Sequence, residues 1–315
     1  MAKDKRRWFV RVPKAERESE EDSYRRLLME RKHAVSAAAE LAKHYGAEVG
    51  ETGFPLRRLT YVLAIETLRA FFGTRWVDRY ILSGKLPPFI RDDTSDAYTN
   101  ERYIRRVVDL AELMFNLQRV SGVDCCFDKL LDGNLEAGIS ELEVGHLLTS
   151  WGVWFRYIMA DDTKERHSFD IEVQFPNGQL GCVEVEAKSE LTTISAETVV
   201  YTLNHAARQL PKDHPGVIFL RLPEPWLDAA EVSAPPVNRT LRLFTRLVSV
   251  IVYYPEDRWN GVATLTYRHA LEILNDRHKF DRATDWRLSK PDGKYDGWDD
   301  FTDIALEGYV SAKTT

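Results

Sequence analysis

The chain has 315 residues, 44% of them hydrophobic, with a formal net charge of -6 and a pI near 5.8. That length and apolar content allow a full core and point to two domains, while the acidic balance argues against a nucleic-acid binder that relies on a uniformly basic surface. No apolar run approaches the roughly 20 residues of a membrane span, and the charged start Met1–Trp8 lacks the apolar centre of a signal peptide, so a cytoplasmic protein without a membrane segment is expected.

The first third reads as helices. Glu16 to Tyr45 is rich in Ala, Glu and Arg, Leu59–Phe72 is an apolar helix closed by Gly73, a shorter helix spans 75–83, and Asp96–Val120 is a long amphipathic helix. Strand signals are absent until Val153. These segments predict a helical domain over 1–135, with a boundary at Asp132-Gly133-Asn134. Basic stretches at Lys3–Arg7, Arg25-Arg26, Arg57-Arg58 and Arg102 with Arg105-Arg106 interrupt the acidic background. Of three cysteines, Cys125 and Cys126 are adjacent and Cys182 falls in a strand, which makes neither a disulfide framework nor, by spacing, a zinc site. No Gly-rich phosphate loop is present.

The second region, 136–275, carries the chemistry. Ile139–Trp151 is a helix ending at Gly152, which suits a position just past a helix end. On it Glu141 shares a stripe with Val144, Gly145 and Leu148, whereas Glu143 falls on a more mixed face with His146 and Leu147. A strand Val153–Met159 follows, then a second containing Ser168-Phe169-Asp170-Ile171-Glu172-Val173. The Asn177-Gly178 pair marks a hairpin into Cys182-Val183-Glu184-Val185-Glu186-Ala187-Lys188. Period-two alternation puts Val183, Val185 and Ala187 on one face and Glu184, Glu186 and Lys188 on the other. Three ionisable side chains then line up over roughly 13 Å. Two carboxylates and an ammonium in a row suit a hard metal ion and a polarised water.

Asp170 followed by Glu186-Ala187-Lys188, behind a Gly-ended helix carrying Glu141, resembles the PD-(D/E)XK nuclease superfamily over roughly residues 140–220. Phe169 stands where the family name has Pro, a position without chemistry. The resemblance implies an α/β fold with a restriction-endonuclease-like αβββαβ core and a mixed central sheet, here preceded by the helical bundle. It implies hydrolysis of phosphodiester bonds in nucleic acid, DNA ahead of RNA, with Mg2+ (or Mn2+) as cofactor. Asp170 and Glu186 would bind the metal with the carbonyl of Ala187, and Lys188 would orient the water or stabilise the charged phosphorane. Glu141, at the distance before its glycine that resolvase-like members use, is preferred over Glu143 as the helix glutamate. Glu184 and Glu172 read first as solvated strand residues, and the carboxylates could instead form an ion-pair ladder with Lys188, Arg156 and Lys164. The alternative function is a non-catalytic nuclease-like scaffold acting through its helical region, which could also serve a homodimer or a protein partner.

Ser195–Leu210 reads as a helix with Ser195 as N-cap and Val199, Leu203, Ala206 and Leu210 as its apolar stripe. Gln209 occupies a position where RecB-like branches carry a functional Gln, though a surface role is the commoner one, and His205 and Arg208 could reach phosphate from the same helix. Val217–Leu220 is a buried strand, Val237–Arg246 a helix, and Leu247–Tyr254 and Val262–Tyr267 are strands paired across Pro255–Gly261. The tail 276–315 holds Trp286, Tyr295, Trp298 and Phe301; packing on its own domain is expected ahead of stacking on bases.

Overall fold

The computed structural model describes residues 30–45, 54–83, 97–158, 169–188, 195–222, 230–259, 264–280, 286–289 and 297–314. The basic stretches at 3–7 and 25–26, the part before residue 30 of the helical segment expected over Glu16–Tyr45, Lys164 and Tyr295 lie outside them. The fold is mixed α/β, with nine α-helices and a six-stranded mixed sheet among the described residues. No helix among them is long and apolar enough to cross a membrane.

The chain forms two compact units, Val120–Asp296 and Met1–Arg119 with Gly297–Thr315. The second is helical: α1 (Arg31–Tyr45), α2 (Phe54–Phe72), α3 (Thr74–Val77) running into a single π turn at Asp78–Leu82, α4 (Ala97–Leu117) and α9 (Phe301–Thr314). Gly73 ends α2 at φ 82°, a conformation that costs glycine little. The last part of the tail, 301–314, is a helix packed on α1 and α2. Phe301 is buried edge-on to Phe115, ring centres 5.5 Å apart. Asn116 clamps the approach to α9, its amide donating to the Asp299 carbonyl at 3.0 Å while its Oδ1 accepts the Asp299 N–H at 2.7 Å.

The other unit begins at Val120, so the boundary expected near 132–134 falls inside it, between α5 (Asp124–Leu131) and α6 (Leu135–Ser150). Six strands follow in spatial order: β1 (Phe155–Tyr157), β2 (Ile171–Gln174), β3 (Leu180–Ala187), β4 (Gly216–Arg221), β5 (Leu247–Trp259) and β6 (Thr264–Leu274). β1, β2 and β3 run antiparallel in succession, β3–β4 and β4–β5 are parallel, and β5–β6 is antiparallel. Between β3 and β4 the chain crosses through α7 (Ala196–Gln209), and between β4 and β5 through α8 (Ala230–Leu243).

Sequence chemistry sets the ends of these elements. Past α6, Gly152 at φ 66° donates to Thr149 O and Val153 N–H returns to Leu148 O, the paired bonds of a Schellman end. The hairpin turns at Gly178, φ 83°, with Asn177 Oδ1 accepting the Gln179 N–H at 2.9 Å. Ser195 caps α7 by accepting the Thr198 N–H at 3.0 Å. One face of the sheet buries Cys182, Ile218, Leu220 and Val250 against Val199, Leu203 and Ala206 of α7 and Val237 and Leu241 of α8. On the opposite face Trp151 at the end of α6 stacks on Phe219 of β4, and Tyr157 donates to the Glu141 carbonyl at 3.2 Å. Helix α7 thus covers one side of β3 and α6 the other.

Candidate metal centre at the end of β3

Asp170 sits where β2 frays. Its N–H still bonds to Val183 O at 3.0 Å, and one step beyond the Ile171↔Val183 pair it stands opposite Glu184. Its Oδ2 accepts the Val185 N–H at 2.9 Å, and its Oδ1 lies 3.4 Å from the Lys129 ammonium on α5. Lys129 also forms a close ion pair with Glu141 Oε1, while Glu141 Oε2 accepts from Cys126 Sγ at 3.4 Å. The structure therefore brings Glu141 and Asp170 together around a lysine that sequence reasoning did not consider. No pattern marks Lys129 as special, because α5 is eight residues long and too short to show a periodic stripe.

The two helix glutamates separate cleanly. Glu141 is buried and its carboxyl is pushed up to about 7, by burial first and then by the Asp170 charge, against the pull of Lys129. Burial alone would lower the Lys129 ammonium, but Glu141 and Asp170 outweigh it and hold it above its ordinary value. Glu143 is buried too, yet its Oε2 is bonded to Arg221 Nε of β4 at 2.7 Å in a pair closed off from solvent. Glu143 thus belongs to the core beneath the sheet.

On the α7 side of β3 the alternation holds, with Glu184 and Glu186 on the face of Cys182. Glu184 departs from the expected solvated residue: it is only 6% exposed, and its Oε2 is buried with no hydrogen-bond partner. Burial, then Asp170 and Glu186, push its carboxyl up to about 10. Glu186 is raised as well, chiefly by burial, with Lys188 the strongest opposing influence. Lys188 and Ala187 are half-buried at the strand end, and Ala187 pairs with Arg221 of β4. Of the expected ion-pair ladder only Arg156 with Glu172 forms among the described residues, at 2.7 Å and away from this cluster.

Helix α7 reaches the cluster through His205, whose Nδ1 lies 3.6 Å from Glu186 Oε1 and 3.1 Å from Gln209 Nε2. One ring nitrogen cannot both donate to Glu186 and accept from the Gln209 amide, so the proton on His205 selects between them. Gln209 thus touches the cluster at second hand, and Arg208 is exposed. Trp286, expected to pack on its own domain ahead of stacking on bases, is buried against Phe175, ring centres 4.9 Å apart.

Three carboxylates, Asp170, Glu184 and Glu186, thus gather at one strand end with mutual repulsion and one orphaned buried oxygen. Hard oxygen donors are the ligand type Mg2+ takes, but among the described residues the ligand atoms brought within 4.8 Å of one another are those of Cys125, Cys126 and Glu141. Compared with family models, curated proteins and solved structures, the chain matches none.

Proposed function

We propose that the chain is a metal-dependent phosphodiester hydrolase of the PD-(D/E)XK type with a restriction-endonuclease-like core, acting on nucleic acid, DNA ahead of RNA. The order α6-β1-β2-β3-α7-β4 supports the αβββαβ core. The observation that carries the reading is Glu184 Oε2, buried without a partner between Asp170 and Glu186. An uncompensated buried carboxylate oxygen costs a folded protein several kcal/mol unless it is protonated or meets a cation. Asp170, Glu184 and Glu186 would hold the ion, with the Ala187 carbonyl as a further hard donor. Magnesium, or manganese in its place, supplies Lewis-acid polarisation of the phosphoryl group and an acidified water when bound. Lys188 supplies the cation for charge developing on the phosphoryl oxygens, and Glu141 positions Asp170 through Lys129.

A second reading rests on Lys129. Its ammonium already bridges Glu141 and Asp170 from within, as a non-catalytic scaffold would require. One experiment separates the two. The purified protein is incubated with plasmid, linear duplex, single strands and RNA, with Mg2+ or Mn2+ and then with EDTA. Metal-dependent cleavage, abolished in Asp170→Asn and Glu186→Gln and slowed in Lys188→Met without loss of substrate binding, supports the hydrolase. Absence of cleavage under every metal leaves the scaffold.

A further inference from the structure

On the α6 side of β3, Cys125, Cys126 and Glu141 each offer one ligand atom, all within 4.8 Å of one another. In sequence the cysteine pair is flanked by Asp124 and Asp128; the fold brings Glu141 to it from α6. Cys125 Sγ and Cys126 Sγ are 4.0 Å apart, and Cys126 Sγ lies 3.4 Å from Glu141 Oε2. A tetrahedral zinc ion, with Zn–S of about 2.3 Å and Zn–O of about 2.0 Å, places two sulfurs about 3.8 Å apart and a sulfur about 3.5 Å from a carboxylate oxygen. The Cys125–Cys126 and Cys126–Glu141 separations therefore already lie close to what such an ion demands, and the third pair stands within 4.8 Å. Magnesium is a poor candidate here, because it takes oxygen ligands and thiolates select softer ions.

The approach of the ligands is built into the backbone. Gly138, one turn before Glu141 on α6, lets α5 come so close that an added Cβ would lie 3.0 Å from the Cys126 carbonyl and 2.9 Å from the Leu130 side chain. Cys126 is buried and Cys125 half-buried, so the pair is reached from the Cys125 side. Charge balances as well. Binding breaks two S–H bonds and the Cys126–Glu141 hydrogen bond, sends two protons to solvent and forms two metal–sulfur bonds and one to Glu141 Oε2, so one dication replaces two protons while Glu141 Oε1 keeps Lys129.

We propose that Cys125, Cys126 and Glu141 form a site for one thiophilic divalent ion of the zinc class, with a water completing the tetrahedron. The site shares Glu141 with the Lys129–Asp170 arrangement of the proposed hydrolase, but its own ligands are the two cysteines, and its readouts are spectroscopic and chemical, so its failure and that of the hydrolase are told apart. Reduced, EDTA-stripped full-length protein is titrated with Co2+. The expected result is thiolate-to-cobalt charge-transfer absorption saturating at one equivalent, displaced by Zn2+, lost in Cys125→Ser/Cys126→Ser and retained in Cys182→Ser. Wild-type protein alone provides a second measurement, since Zn2+ should protect Cys125 from alkylation by iodoacetamide while Mg2+ does not. No charge-transfer band in the wild type, an equal band in the double variant, or equal Cys125 alkylation with and without Zn2+ would each overturn the site.

Discussion

Glu141 and Glu143 lie two positions apart on α6, and their partners give them opposite roles. Glu143 closes a solvent-excluded pair with Arg221, and removing one partner from such a pair typically costs about 3–5 kcal/mol. We expect Glu143→Gln to lower the melting temperature steeply, and Glu141→Gln to lower it far less, because neutralising a carboxyl already raised to about 7 relieves burial as it loses Lys129. Paired thermal melts decide the matter, and equal losses would undo the distinction. The stripe argument from sequence preferred Glu141, since a carboxylate among Val144, Gly145 and Leu148 has to meet something inside, and in the structure Glu141 meets Lys129 while Glu143 is buried as well. It could not reach Lys129, Arg221 or the burial of Glu184, because each depends on a neighbour remote in sequence. Periodicity reports which face a residue occupies and says nothing of what covers that face.

At the scale of elements, glycines fix how closely segments approach. A Cβ on Gly122 would fall 2.1 Å from the Tyr157 carbonyl oxygen, and its φ of +81° disfavours any side chain. Gly122→Ala should therefore push the start of α5 away from β1, where Tyr157 N–H now donates to Ser121 O at 2.9 Å. Faster amide exchange at Tyr157 would register the displacement, and unchanged protection there would refute it. The elements around the hairpin were legible because Asn-Gly, Ser195 and Gly152 act locally. Others were not. Helix α9 hides behind Gly308, a poor helix former in its middle, kept because a Cβ there would lie 2.5 Å from Ala38 Cβ on α1. The expected turn at Pro255 is strand instead, since β5 continues to Trp259. Beyond Tyr253 the described residues pair β5 with β6 alone, so the missing proline N–H falls on an unpaired edge.

For the molecule as a whole, the seam of the helical unit carries a titratable group. Glu112 of α4 is buried, its Oε1 accepting the Phe301 N–H at 3.1 Å and its Oε2 lying 3.3 Å from Arg105. Burial first, then Asp300 and Asp109 against the opposing Arg105, raise its carboxyl from 4.5 to about 7. The folded state thus keeps a proton that the unfolded chain gives up. Its contribution is fully present below about pH 4.5 and is lost as pH rises towards about 7, at most about 3 kcal/mol. Melting temperatures of the wild type should fall across that window relative to Glu112→Gln, and parallel curves for the two proteins would remove Glu112 as the cause. The split of this unit between Met1–Arg119 and Gly297–Thr315 has a kinetic consequence. During synthesis the sheet unit is complete while Ala38, Ala42 and Phe115 still wait for the helix that covers them. The amino-terminal helices must then persist through the emergence of some 180 further residues with an unsealed apolar face, an interval at about 5–20 residues per second in which a chaperone would find its binding surface.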